Sequence, residues 1–87
     1  MEPLMHNYYR QQPITSDEAR SQYRAYFARL EAMIADQEDV VHRAHATSDA
    51  SGLARARTSL WRLLTKRQGV IDALAAYERG KQAQQSA

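Results

Sequence analysis

Three side chains that can bind metals recur on one face of a predicted helix. Glu38, His42 and His45 follow one another at spacings of four and three residues, so a helix brings one carboxylate and two imidazoles together. Such a group suits a metal site or a pH switch. No further ligand is specified nearby beyond Asp39 and Asp49. We therefore interpret the two histidines as exposed residues near a helix C-terminus, and the sequence predicts no metal and no cofactor.

Motifs for nucleophilic catalysis, phosphate binding and paired-carboxylate chemistry are missing from the sequence. The three glycines stand singly rather than in a phosphate-binding loop, and no nucleophile is placed beside a base. Cysteine is absent, which excludes disulfides and thiolate metal sites. We expect a protein that is not an enzyme and that acts by binding other macromolecules.

Charge and hydropathy leave the class of partner broad. The 87 residues carry a formal net charge of +2, which permits nucleic-acid binding without indicating it. No stretch approaches the roughly 20 apolar residues of a membrane span, and residues 1–10 lack the apolar run of a signal peptide. We expect a soluble cytoplasmic protein, or one held within a virion or another assembly.

The first predicted helix follows an irregular N-terminal arm. Residues 1–14 form this arm, because its two prolines disfavour helix in the residues before them. A capping box then begins the helix, with the Thr15 hydroxyl and the Glu18 carboxylate each accepting the other's backbone N–H. The helix is predicted over about 16–47. Its core-facing residues repeat at heptad spacing and are Ala19, Tyr23, Tyr26, Leu30, Met33, Gln37, Val40, Ala44 and Thr47.

A second predicted helix follows one short turn. The turn-forming cluster over 47–52 is the only one inside the chain, and Asp49 or Ser51 is expected to cap the next helix. This helix is predicted over about 50–79, ending near Gly80, with a polar tail over 81–87. Its seam residues are Leu53, Ala56, Leu60, Leu63, Arg67, Val70, Leu74 and Tyr77.

Helices joined by a short turn pack antiparallel, and the two seams close on each other in one register. In that register Leu30 faces Val70, and Met33 faces Arg67 with Gln37 one layer away. The two polar residues would either fix the register from within the seam or extend past its edge to water. Residues 15–80 are therefore predicted to form an all-α, coiled-coil-like hairpin, able to dimerise into a four-helix bundle.

An apolar stripe beside the seam is wider than a two-helix hairpin requires. We expect another element to cover it. The arm, with Tyr8, Tyr9 and Ile14, is one candidate; a second copy and a different protein are the others. Trp61 is either the central anchor of such an interface or a partly buried structural residue. We call the stripe the apolar strip, and its residues are Phe27, Ile34, Val41, Trp61, Leu64 and Ile71.

Basic residues away from the apolar strip support an alternative function. They could follow a phosphate backbone or an acidic protein face, with Tyr8 or Tyr9 stacking on bases. A solvated helix face is the favoured explanation for them, because the charges of the two helices complement each other. Asp36 is expected to reach Lys66 across the hairpin. The basic residues concerned are Arg29, Arg43, Arg55 and Arg62.

The sequence thus favours a non-enzymatic protein that binds another protein or itself through the apolar strip. Small bacterial secretion chaperones and small structural proteins of bacteriophage particles share this architecture. A nucleic-acid-binding hairpin dimer, similar to plasmid RNA-regulating four-helix bundles, is the first alternative. A phage-encoded inhibitor of a host protein is the second, and it would use the same strip.

Overall fold

The protein is an all-α antiparallel hairpin, seen in a computed structural model that describes residues 11–86. Helix α1 spans Asp17–Ala46 and helix α2 spans Ala50–Ser86, with no strand in the described range. The predicted hairpin and its short turn are confirmed. Predictions that involve Tyr8 and Tyr9 lie outside the described residues. Within residues 11–86, neither helix is long and apolar enough to cross a lipid bilayer.

Helix α1 is capped one residue later than the sequence predicted. Ser16, not Thr15, adopts the extended N-cap conformation, and its Oγ accepts a hydrogen bond from the Ala19 N–H at 3.1 Å. The shift leaves Thr15 outside the helix and places Asp17 and Glu18 in the first turn. There both acids favour the positive end of the helix dipole.

The turn is fixed by hydrogen bonds at both of its ends. Ser48 has a left-handed φ of 57°, and the Asp49 N–H donates back to the Ala44 carbonyl at 2.9 Å. Together these form the usual termination of a helix, although glycine is the residue favoured at the left-handed position. Asp49 then caps α2, because its Oδ1 accepts from the Gly52 N–H at 2.9 Å. This confirms one of the two predicted caps.

Helix α2 does not end near Gly80 as predicted; it continues to Ser86. Glycine lowers helix propensity but does not forbid helix, and a cross-hairpin contact holds the following turn. The Lys81 ammonium lies 3.0 Å from Asp17 Oδ1. Most of the predicted polar tail is therefore helical.

The seam between the helices follows the predicted register except near its middle. Leu30 and Val70 are the most deeply buried side chains. Met33, predicted to lie in the seam, is 42% exposed, whereas its neighbour Ile34 is buried. The reason lies on the facing helix, α2. There the Arg67 guanidinium leaves the seam and lies 2.8 Å from the Glu31 carboxylate. A charged group at that layer cannot pack on Met33, so α1 turns Ile34 inward instead.

Candidate protein-binding surface

The apolar strip is divided between its two helices in the structure. On α1, Ile34 is buried, and Phe27 and Val41 are half-buried. On α2, Trp61 is 56%, Leu64 36% and Ile71 38% exposed. The part of the strip that remains accessible is thus a ridge on α2 rather than an even band across both helices.

The α2 ridge is exposed because of its position on the helix. Leu64 and Ile71 are seven residues apart and so share one flank of the seam, while Val70 next to Ile71 points into the seam. Half-buried Phe27 and buried Ile34 have the same heptad position on α1 as Leu64 and Ile71 have on α2, which places them toward the same side of the hairpin. We call this side the strip edge. The α1 side of this edge is buried at Ile34, and its α2 side is exposed at Leu64 and Ile71.

Charged residues border the strip edge. Arg20 Nη1 lies 2.8 Å from Glu78 Oε1, and Arg67 makes the equivalent contact with Glu31 farther along the hairpin. Glu38 is one heptad beyond Glu31 on α1, and Arg57 is one heptad before Leu64 on α2; both are exposed. Within residues 11–86, neither of these two forms an ion pair. The rim therefore carries one acid and one base that form no ion pair among the described residues.

The opposite side of the hairpin is covered by the residues that precede α1. Ile14 is buried, only 8% exposed. It lines a groove of about 1160 Å³ together with Ala73, Ala76 and Tyr77 of α2. The Tyr23 hydroxyl donates a hydrogen bond to the Gln12 carbonyl at 2.7 Å, which ties this segment to α1. We call this side the arm edge. Of the predicted arm residues, Ile14 packs on the hairpin of its own chain.

A polar network closes the open end of the hairpin, and the sequence did not indicate it. The Tyr77 hydroxyl and the Lys81 ammonium both donate to Asp17 Oδ1, at 2.6 and 3.0 Å. The hydrogen bond from Tyr77, followed by that from Lys81, lowers the pKa of the Asp17 carboxyl. The same bond to Asp17 raises the pKa of the Tyr77 hydroxyl. The contact with Lys81 was hidden by the prediction that α2 ends near Gly80.

A second ion pair strengthens this end. Glu78 accepts a hydrogen bond from Arg20, which raises the pKa of the Arg20 guanidinium. The guanidinium also lies 5.7 Å from the centre of the Tyr77 ring, a distance suited to a cation–π contact. The network therefore joins the first turn of α1 to the part of α2 that the sequence assigned to the tail.

The four predicted basic residues are exposed on the surface. The Arg29 guanidinium lies 5.7 Å from the Tyr26 ring centre. Arg43 and Arg55 line a shallow groove of about 390 Å³ near the turn. Arg62 is exposed on α2. None of the four takes part in an ion pair among the described residues. The expected contact of Asp36 with Lys66 does not form there either.

The histidines of α1 lie on its outer surface. His42, His45 and Glu38 are all exposed. No group of three potential metal ligands is close enough to hold an ion in the part of the chain that the structure describes.

No protein-family model matches the sequence, and neither a curated protein nor a solved structure shows significant similarity to it.

Proposed function

We propose that the protein is a non-enzymatic binding or assembly protein that packs the apolar strip against another protein. The observation that supports this best is the exposure of Leu64 and Ile71, 36% and 38%, on one flank of a seam whose other flank is covered. Large apolar side chains grouped on a helix flank and bordered by charges are typical of protein interfaces. A chaperone-like, accessory or virion-subunit role would each use such a surface.

The energetic role of this surface follows from its exposure. Two half-exposed aliphatic side chains and a tryptophan bury further apolar area on association, at roughly 25 cal/mol per Å². Aromatic residues at the centre of an interface contribute most to binding. The strip is then a recognition surface of the helix-packing type, in which a partner's apolar stripe lies along α2.

Site-specific crosslinking tests the proposal. A photoreactive residue at Leu64 should give crosslinked products in the source cell, and one at Met33 should not. Met33 is a matched control because it is a comparably exposed apolar residue, 42% against 36%, away from the ridge. Leu64→Glu should abolish the complex while circular dichroism still shows a folded helical protein. Equal yields from the two positions, or none from Leu64, would contradict the proposal.

A second function, nucleic-acid binding, is favoured by one observation. Arg43 and Arg55 come from different helices and line the same groove, which Asp49 also lines, and within residues 11–86 neither arginine forms an ion pair. Phosphate contacts by arginine give binding that weakens steeply with salt. Electrophoretic mobility of generic RNA and DNA should shift at low salt, and the doubly substituted Arg43→Glu, Arg55→Glu protein should lose the shift. No binding at low salt would exclude this function.

A further inference from the structure

We propose that residues 1–10 bind in cis to the arm edge, where they continue the path of residues 11–15 along α2 toward the turn. This arrangement brings the aromatic pair Tyr8–Tyr9 beside Thr65 on the outer face of α2. The inference goes beyond the proposed function, because it assigns an occupant to the edge that this function does not use. It also leaves the apolar strip free of the arm.

The described part of the arm already runs back along the hairpin. Helix α1 begins at Asp17, yet the Gln12 carbonyl accepts a hydrogen bond from the Tyr23 hydroxyl. A tyrosine side chain on a helix leans toward the N-terminus by about one turn, which still places its hydroxyl beside α1 rather than in front of it. The chain therefore reverses direction between Gln12 and Asp17, and the residues before Gln12 are directed toward the turn.

The groove on the arm edge extends farther than the described arm. At one end it is lined by Asp17 and Lys81, and at the other by Thr65. The helix between Thr65 and Lys81 is about 24 Å long, whereas the extended residues 11–15 reach at most about 17 Å. The described arm therefore does not fill the length of the groove, and the residues that precede Gln11 have a surface to follow.

The length of the preceding segment matches this path. Gln11 lines the groove together with Gln68 and Asp72, and ten residues precede it in the chain. The step from Gln11 back to Tyr8 spans about 10 Å when extended, which equals about seven residues of helix. Tyr8 therefore comes level with Thr65 or with the turn of helix before it.

The chemistry of the two surfaces favours the same occupant. Arg62 is exposed on this stretch of α2 and forms no ion pair in the part of the chain that the structure describes. A tyrosine ring over a guanidinium gains a cation–π contact, so Tyr8 or Tyr9 can cover this arginine. Tethering favours the arm over a separate protein, because a short linker holds its segment at an effective concentration in roughly the millimolar range. Reaching Leu64 on the strip edge would instead require the arm to cross the outer face of α2.

Disulfide trapping in the full chain tests the path of the arm. The chain has no cysteine, so each test protein carries only an introduced pair: Asn7→Cys with Thr65→Cys, or Asn7→Cys with Leu64→Cys as the matched control. Thr65 and Leu64 are adjacent on α2, but only Thr65 lines the groove on the arm edge. Under mild oxidation the Thr65 pair should close within one molecule at least about tenfold faster than the Leu64 pair, because a disulfide needs Cα atoms within about 7 Å. Equal rates, a faster Leu64 pair, or no closure within one molecule would overturn the inference.

Nuclear Overhauser contacts test the same path in the unmodified protein. The ring protons of Tyr8 or Tyr9 should contact the Thr65 methyl group, and Tyr8→Ser with Tyr9→Ser should remove these contacts while circular dichroism stays helical. Ring contacts with Leu64 or Ile71 instead, or none with α2, would overturn the inference. Photocrosslinking at Leu64 tests the proposed function separately. A partner captured there without the Thr65 contacts leaves that function intact, and Thr65 contacts without a captured partner leave this inference intact.

Discussion

The arm edge and the strip edge lie on either side of one seam, and they differ in how far their apolar side chains are covered. On the arm edge, residues 11–15 lie over α2, and Ile14 is 8% exposed. On the strip edge, no described residue covers Leu64 and Ile71, which are more than one third exposed. A two-helix hairpin has two such flanks and one preceding segment, so the chain can cover only one of them with the residues next to α1. The flank that no described residue covers is the one that the proposed function assigns to a partner.

The contrast separates a flank that stabilises the fold from a flank that the proposed function uses for binding. Small domains bury a low fraction of their surface, so each additional covered residue matters to stability. The arm edge uses Ile14 and the Tyr23 hydrogen bond to Gln12 for this purpose. The strip edge leaves Leu64 and Ile71 exposed, and the proposed function uses this area for association. Changes on the two edges should therefore separate into effects on folding and effects on assembly.

The largest loss of stability is expected in the seam that the two edges share. Leu30→Ala should lower the free energy of unfolding by about 3 kcal/mol, because it leaves a cavity at a position only 1% exposed. Met33→Ala should cost less than about 1 kcal/mol, since the structure places this residue outside the seam. Urea unfolding followed by circular dichroism, at one protein concentration, measures both. A larger loss of unfolding free energy for Met33→Ala would show that Met33 packs in the seam, as the sequence predicted. If the alanine variant of Leu30 does not fold, Ile34→Val, expected to cost about 1 kcal/mol, replaces it.

The comparison between the edges is tested by one matched pair. Ile14→Ala should destabilise by about 2 kcal/mol, at the low end for buried aliphatic residues, because the segment around it can partly relax. Leu64→Ala should cost less, about 1 kcal/mol, since this residue is already 36% exposed to water. The same urea titrations apply, at a concentration where association is negligible. Equal losses would show that the two edges are covered alike.

A gain of stability is expected from a glycine beside the arm edge. A Cβ added at Gly80 meets nothing within 4 Å, so Gly80→Ala should stabilise α2 by about 0.8 kcal/mol through helix propensity. Gly52→Ala is the counterpart, because its Cβ would collide with the Asp49 carboxylate that caps α2. It should be destabilising. Thermal melting of the two variants measures the opposite signs; a loss at Gly80 would place another part of the chain against that turn.

Much of the fold followed from the sequence, because heptad spacing and turn chemistry are local signals. The hairpin, the capping role of Asp49 and the burial of Leu30 with Val70 could all be predicted. The burial of Ile34 in place of Met33 could not be predicted, since it depends on the direction that the Arg67 side chain takes across the hairpin. Heptad spacing predicts which positions face the seam. It does not predict whether a charged side chain at such a position stays there or turns toward water.

The extent of the binding surface was harder to predict than its location. The sequence placed six apolar residues in one strip, but the structure draws Ile34 into the seam and leaves the α2 members exposed. Which helix retains the open surface depends on the rotation of α1 about its axis. The network around Asp17 was missed for a related reason: Gly80 indicated a helix end, and only the continuation of α2 brings Lys81 opposite Asp17.

The smallest effect is expected at the open end, where exposed polar groups join the two edges. The Asp17 carboxyl has a lowered pKa in the folded protein because it accepts hydrogen bonds from Tyr77 and Lys81. Its stabilising contribution is therefore fully present above the ordinary aspartate value of 3.8 and is lost as the pH falls through the lower folded-state pKa. Melting temperatures from about pH 7 down to about pH 2 should fall more for the unmodified protein than for Asp17→Asn.

At neutral pH the Asp17→Asn protein should be the less stable of the two, and the melting curves should converge in acid.

At alkaline pH the group that matters is Tyr77, whose raised pKa keeps the hydroxyl protonated as a donor. That contribution is present below the ordinary tyrosine value of 10.0 and is lost as the pH rises through the higher folded-state pKa. Tyr77→Phe removes one of the two donors to Asp17 and should reproduce part of the neutral-pH loss of Asp17→Asn, because the contact with Lys81 remains. The double variant should lose little more than Asp17→Asn alone, since both changes act on the same bond. Parallel pH curves for the three proteins would mean that the carboxylate and the hydroxyl do not pair in solution.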